Sequence, residues 1–218
     1  MSEQRQEFDN ELDAIESKVI ELFAMVAEGV PVATRGLVEG DGDAFITLAE
    51  RDRVIDALYI EVEGLATREI LLQAPVAADL RYLLSVLRIV PELERSHDLV
   101  VHIGASAGHL VEGDLTPRAR ALVSRMGDLA ADMWRQAADS WYRRDRTVAN
   151  TLTERDEGLD ELHAALIAEL ASGPIAVPVA MEMASVARDY ERLGAHAVNV
   201  ARRVVYLAGT AARKPQDD

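Results

Sequence analysis

The 218-residue chain has no cysteine. That absence excludes a disulfide framework, a thiol nucleophile, and zinc–thiolate or iron–sulfur sites, and it fits a reducing compartment. Turn formers are scarce as well: there are 13 glycines and 7 prolines, and aromatics make up 5%. A many-stranded sandwich or barrel needs more turn chemistry than this, so helices are expected. Nowhere do about 18 apolar residues run together, as a membrane span requires. The first residues, Met1-Ser2-Glu3-Gln4-Arg5-Gln6-Glu7, lack the apolar stretch of a secretory signal. The reading is a cytoplasmic chain that meets membranes only indirectly, through partners. Basic residues are outnumbered, 23 against 38 acids, giving a net charge of −15. A nucleic-acid surface needs a basic field, so nucleic acid is excluded as a partner.

What the chain does have is apolar material, 49% of residues, at spacings of three and four almost throughout. A first helix carries Phe8, Leu12, Ile15, Val19, Leu22 and Val26, with a kink expected at Pro31 and an end at Gly40-Asp41-Gly42. A second opens near Asp43, a cap residue, and runs to Ala74 before Pro75. A third carries Leu80, Leu83, Leu87 and Val90 and stops around Gly108. Glu112-Gly113-Asp114 reads as a linker, and Thr116-Pro117 as a helix start. Three more helices follow, to about Arg144, from Val148 to Ala171, and from Pro178 to Gly209, with a frayed tail. Short connections make neighbours antiparallel.

The chain also repeats itself. Glu50-Arg51-Asp52-Arg53-Val54-Ile55-Asp56 returns as Glu154-Arg155-Asp156-Glu157-Gly158-Leu159-Asp160, and Leu93-Glu94-Arg95 returns 97 positions later as Tyr190-Glu191-Arg192. The expected fold is all-α: two tandem, pseudo-symmetric, antiparallel three-helix bundles, residues 1–111 and 112–218, built from six long helices.

Acids interrupt the apolar registers. Asp52 and Asp56, Asp156 and Asp160, and Glu94 and Asp98 are i,i+4 pairs, each on one helical face. Asp52 falls in the register of Leu48, Ile55, Tyr59 and Val62, and Glu94 continues the stripe of the third helix. Two carboxylates about 6 Å apart repel by roughly 3 kcal/mol at an effective dielectric near 20. Such a cluster resolves by protonation, by arginine partners such as Arg51, Arg53, Arg95, Arg155 and Arg192, or by a hard cation held through oxygen.

Other patterns carry less. Glu94-x-x-His97 has the spacing of di-iron carboxylate bundles, which makes an oxidase or metal store the alternative reading. The second half breaks that spacing, with Glu191 and His196 five apart. His97 therefore reads as a core or capping histidine and His102 as a hydrogen-bonded one. Gly104-Ala105-Ser106-Ala107-Gly108 spells a nucleophile elbow but follows a helix where that turn needs a strand. Met133, Trp134 and Trp141 read as core, and Arg81, Arg88 and Arg95, seven apart, as a solvated or interacting face.

Taken together, Gln73-Ala74-Pro75-Val76-Ala77-Ala78-Asp79-Leu80-Arg81, Leu93-Glu94-Arg95 with Asp98, and Tyr190-Glu191-Arg192-Leu193-Gly194-Ala195-His196-Ala197-Val198-Asn199 resemble the PhoU family of phosphate-transport regulators. The resemblance spans residues 5 to 209. It implies PhoU-like, spectrin-repeat-like bundles with no catalytic residues, carrying multinuclear metal clusters on E/D-x-x-x-D pairs. By position the first half supplies Asp52, Asp56, Glu94 and Asp98, and the second Asp156, Asp160 and Glu191. Ala195 stands where the family places its closing aspartate, and His102 where it has asparagine, a residue that Asn199 keeps. Iron, manganese, zinc and magnesium all suit such ligands. The resemblance further implies a homodimeric adaptor between the ATPase of a phosphate ABC transporter and a sensor histidine kinase, repressing phosphate-starvation genes when phosphate is plentiful.

Overall fold

The computed structural model describes residues 3–40, 43–110 and 113–209. Within them lie α1 (Glu3–Glu39), α2 (Asp43–Gln73), α3 (Ala77–Ser106), α4 (Pro117–Arg143), α5 (Val148–Ser172) and α6 (Val177–Ala208), with one 3₁₀ turn at Ala107–His109 and no strand. The expected seam at 111–112, part of the Gly40-Asp41-Gly42 stop and the tail beyond 209 lie outside the described residues.

Helix ends follow local chemistry. Gly40 closes α1 with φ at +74°, a conformation that costs glycine nothing. Thr116 caps α4: its Oγ1 accepts from the Ala119 amide at 3.0 Å, and Pro117 occupies the first helical position, where a missing N–H does no harm. The α2–α3 turn is strained, because Ala74 and Ala77 on either side of Pro75-Val76 both have φ in the left-handed region. Pro31 lies inside α1, which continues eight residues beyond it.

Helices α1–α3 pack on one another, as do α4–α6, and the two groups meet through α1 on α4 and α3 on α6. A single apolar core runs through both. Trp134, Trp141 and Phe23 are fully buried in it, with Phe23 6.3 Å from each indole. Beneath the indoles the buried pair Arg144–Glu16 closes at 3.0 Å and ties the end of α4 to α1.

The α3–α6 contact is polar along its length and antiparallel. Four cross-links run up one helix and down the other. Asn199 donates to Glu92 at 3.5 Å, and the His196 Nδ1–H to Ser96 Oγ at 2.9 Å. The His102 Nδ1–H donates to Asp189 at 2.5 Å, and the Ser106 hydroxyl to Glu182 at 2.5 Å. His102 is thus hydrogen-bonded, as expected. Two of these links are copies of each other, since Glu92 and Asp189, and likewise His102 and Asn199, stand 97 positions apart. On the α1 side, Thr34 donates to the Val30 carbonyl at 2.7 Å and accepts from the buried Tyr190 hydroxyl at 2.8 Å. Gly127 of α4 lies over this pair, and a Cβ there would fall 2.2 Å from Thr34 Oγ1.

Two predictions follow from this packing. Gly127→Ala forces apart the α1–α4 contact and should cost about 1–3 kcal/mol in urea unfolding. Gly64→Ala, in mid-α2 with nothing within 4 Å, should instead stabilise by about 0.5–1 kcal/mol; equal effects at the two sites would contradict the close-approach assignment. The second concerns His196, whose proton affinity burial lowers below the usual 6.5. The unfolded chain then binds the proton more readily than the folded one. The stability owed to neutral His196 is complete above pH 6.5 and falls as pH drops towards the depressed value. Its ring should titrate below 6.5 in an NMR pH series, and a midpoint at or above 6.5 would refute the buried, neutral assignment.

Candidate functional site

The repeated acids gather where α2 meets α3 and where α5 meets α6. In the first half, α2 turns Leu48 and Ile55 inward, where both are fully buried. That rotation leaves Asp52 half-buried at the shoulder and Asp56 exposed one turn on. Glu94 and Asp98 face them from α3, Glu94 half-buried and Asp98 exposed. The acids thus line a surface edge of the bundle rather than the apolar seam itself, because helical rotation of about 100° per residue carries i+4 off the buried stripe.

The electrostatics are those of an unneutralised cluster. Partial removal from water, followed by repulsion from Asp98, Asp56 and Asp52, raises the Glu94 carboxyl above its usual range. Asp98 rises for the same reasons, with Asp52 and Asp56 as the repelling charges. The arginines nearby are engaged elsewhere. Arg51 bridges Glu28 at 3.5 Å, Arg95 bridges Glu92 at 3.8 Å, and Arg155 pairs with Asp132. Arg95 only draws on Glu94 at a distance. Among the described residues, Asp56, Glu94, Asp98, Asp156 and Asp160 form no ion pair.

His97 forms the floor of this corner. It is fully buried, its Nε2 lies 3.4 Å from the Leu48 carbonyl and 4.0 Å from Asp52 Oδ1, and burial lowers its affinity for a proton. It is a core histidine, not half of a Glu-x-x-His ligand pair. Ser106, the other decoy, spends its hydroxyl on Glu182 and the His102 carbonyl in the last turn of α3.

The second half repeats the corner with different neighbours. Gly194 occupies the position that His97 holds in the first half. It admits Asp156 so closely that a Cβ on Gly194 would fall 2.5 Å from the Asp156 carboxylate. Partial burial, then repulsion from Asp160, raises the Asp156 carboxyl; Arg202 opposes this and Glu191 adds to it. Glu191 lies 3.7 Å from His163. Ala195 is exposed and presents no ligand. Spacing alone had no means of showing Gly194 and Gly127, whose function is to let another helix approach.

All seven acids offer hard oxygen ligands, and the first-half four lie within electrostatic reach of one another, which suits a hard cation chemically. Among the described residues, no three His, Asp or Glu side chains stand close enough to hold an ion as placed. What is assembled is a charge cluster rather than a closed coordination shell.

Comparison with known proteins agrees with this two-fold plan. The PhoU domain matches twice, at residues 19–107 and 123–204. A "phosphate-specific transport system accessory protein PhoU homolog" of Deinococcus radiodurans is 30% identical over 93% of this chain and 96% of that protein. A protein of the same description from Pseudomonas putida is 28% identical over 93% of this chain and 80% of its own length. Among solved structures, PhoU from Pseudomonas aeruginosa is 27% identical with a TM-score of 0.87, covering 93% of this chain and all of that one. The phosphate transport system regulatory protein PhoU from Streptococcus pneumoniae is 25% identical with a TM-score of 0.82, covering 92% of this chain and 96% of that one. With both halves matched and the six-helix architecture shared, the chain belongs to the PhoU family.

Proposed function

We propose that the protein is a metal-binding adaptor that represses phosphate-starvation signalling, standing between the ATPase of a phosphate ABC transporter and a sensor histidine kinase. The coarser part of this rests on the relatives: it is an accessory and regulatory protein of phosphate transport, not an enzyme. The observation that carries the reading is the duplicated PhoU domain over nearly the whole chain. A rigid acidic helical body suits an adaptor. Among the described residues no helix is long and apolar enough to cross a membrane, which accords with a cytoplasmic protein reaching the membrane through its partners. A homodimer belongs to the same proposal.

The metal part rests on the first-half carboxylates. Asp52, Asp56, Glu94 and Asp98 would hold a hard cation, which supplies the positive charge that no guanidinium provides there. Asp156, Asp160 and Glu191 make a second, poorer set, one acid short at Ala195. That shortfall weighs against the oxidase or metal-store alternative, which needs complete, matched ligand sets.

Two experiments test the proposal. Deleting the gene should derepress phosphate-scavenging genes in phosphate-rich medium; unchanged expression and uptake, in a strain without a paralogue, would refute the regulatory role. For the metal, the double variant Asp52→Ala/Glu94→Ala should lose most of the iron, manganese, zinc or magnesium that elemental analysis finds in the purified chain. Ala195→Asp should raise it. Equal stoichiometry in all three proteins would remove the metal assignment while leaving the adaptor reading intact.

A further inference from the structure

In a chain with 38 acids and 23 bases, an arginine has a wide choice of carboxylates, and several take one: Arg118 lies against Glu169, Arg144 against Glu16 and Arg155 against Asp132. Three arginines at one end of the α3–α6 seam do not. Arg81 of α3 and Arg203 of α6 both stack on the ring of Tyr206, their guanidinium carbons 5.2 and 4.8 Å from its centroid. Arg88, two helical turns along α3 from Arg81, stands close enough to Arg203 that its charge, after burial, lowers the proton affinity of that guanidinium. Among the described residues none of the three forms an ion pair. Arg81 Nε is moreover buried without an acceptor.

Like charges brought together without a counter-charge are held at a cost, and here an aromatic ring holds two of them in fixed planes. The ring's attraction for the two cations offsets part of that cost, but Leu or Gln at 81 and 203 would cover Tyr206 without bringing the charges together. A missing anion gives a reason for the arrangement. Its shape follows from the spacing. Arg81 and Arg88 are about 10.5 Å apart along the helix axis, with Arg203 adding its charge from α6, while Arg95, seven residues further on, is already held by Glu92 at 3.8 Å. A single tetrahedral anion spans too little to meet both Arg81 and Arg88. A polyproline-II-like extended chain repeats its face every three residues and rises about 3.1 Å per residue, so acids three residues apart on it lie on one side at the spacing of Arg81 and Arg88, and a guanidinium fork suits carboxylates well.

We infer that the stripe Arg81–Arg203–Arg88 docks an extended acidic segment of a partner protein whose carboxylates recur about every third residue. Tyr206 holds two of the guanidiniums in place beforehand, which reduces the ordering that binding requires. The overall charge of −15 does not forbid this. At about 0.1 M salt the Debye length is about 10 Å, so an approaching segment senses the stripe and not the far side of the molecule. The inference uses none of the acid clusters and holds whether or not they bind metal.

The test is fluorescence anisotropy at about 0.1 M salt with the full chain and a short labelled peptide bearing glutamate at every third position. A peptide with glutamine in place of glutamate is the control. The glutamate peptide should bind saturably and the glutamine peptide should not. Arg81→Gln/Arg203→Gln should weaken binding at least about tenfold, while Arg118→Gln, away from the stripe, leaves it unchanged. Tyr206→Leu should weaken binding several-fold and Tyr206→Phe should not. Circular dichroism establishes that each variant is folded, and the single substitution Arg88→Gln, on an exposed position, serves if the double variant is not. Absence of saturable binding, equal binding by the arginine variants, or full displacement by millimolar inorganic phosphate would overturn the proposal, the last by making the stripe a small-anion site.

Discussion

The crossing of α3 on α6 governs most of the molecule. Together with α1 on α4 it is where the duplicated chain meets its own copy, and it carries polar links where an apolar contact would have served for stability alone. Charged or polar pairs half-removed from water contribute little net free energy, but a wrong register leaves each of them unpaired, which is expensive. The His102–Asp189 and Asn199–Glu92 links are the same contact made twice about a pseudo-two-fold axis. Sliding α6 by one turn along α3 would break both together, along with Ser96–His196 and Ser106–Glu182. The seam therefore fixes register, and from register follows where every outward residue of both helices points.

That register sorts the charge. On α3 the residues that turn away from the core face either α2 or α6. Those facing α2, Glu94 and Asp98, meet Asp52 and Asp56; of those facing α6, Arg81 and Arg88 meet Arg203 and Tyr206, and Glu92 meets Asn199. The α2 shoulder of α3 thus gathers acids, and one end of its α6 shoulder gathers arginines; at each of these two places the neighbouring helix adds like charge rather than opposite. In an ordinary acidic protein these groups would neutralise each other in i,i+4 pairs on the surface. Here the arginines nearest the acids, Arg51 and Arg95, are committed to Glu28 and Glu92, so separation of sign persists into the folded state.

Much of this was legible in the chain, and the boundary of legibility has a physical cause. Helix ends are local: Gly40, Pro75, Thr116-Pro117 and Ser172-Gly173-Pro174 each dictate a backbone conformation through their own covalent structure, and the six helices end within a residue or two of them. The acid pairs are likewise local, because spacing of four on a helix is adjacency. Burial depth was less legible: Asp56, Asp98 and Asp160 share a helix face with half-buried Asp52, Glu94 and Asp156, yet are exposed. Pairing between distant segments was not legible at all. Nothing around Thr34 announces Tyr190, 156 positions away. Gly127 and Gly194 looked like ordinary glycines in mid-helix, where propensity argues against them; the cost is met because each admits another helix.

The duplication has not kept its halves equal, and the differences fall at corresponding positions. His97 answers to Gly194, and Asp98 to Ala195. In the first half a buried neutral imidazole holds α2 off and sets Asp52 at 4.0 Å; in the second, absence of a side chain lets α5 close in until Asp156 rests on bare backbone. The loss of an acid at 195 and the loss of the bulky spacer at 194 are mutually consistent. With one fewer carboxylate to repel it, Asp156 tolerates a tighter corner, and with no spacer a fourth carboxylate would have less room to stand apart. Arg202 acts on Asp156 through space as Arg95 acts on Glu94. What differs is the packing: the first corner sets four acids around a buried spacer, and the second sets three, with Asp156 against bare backbone.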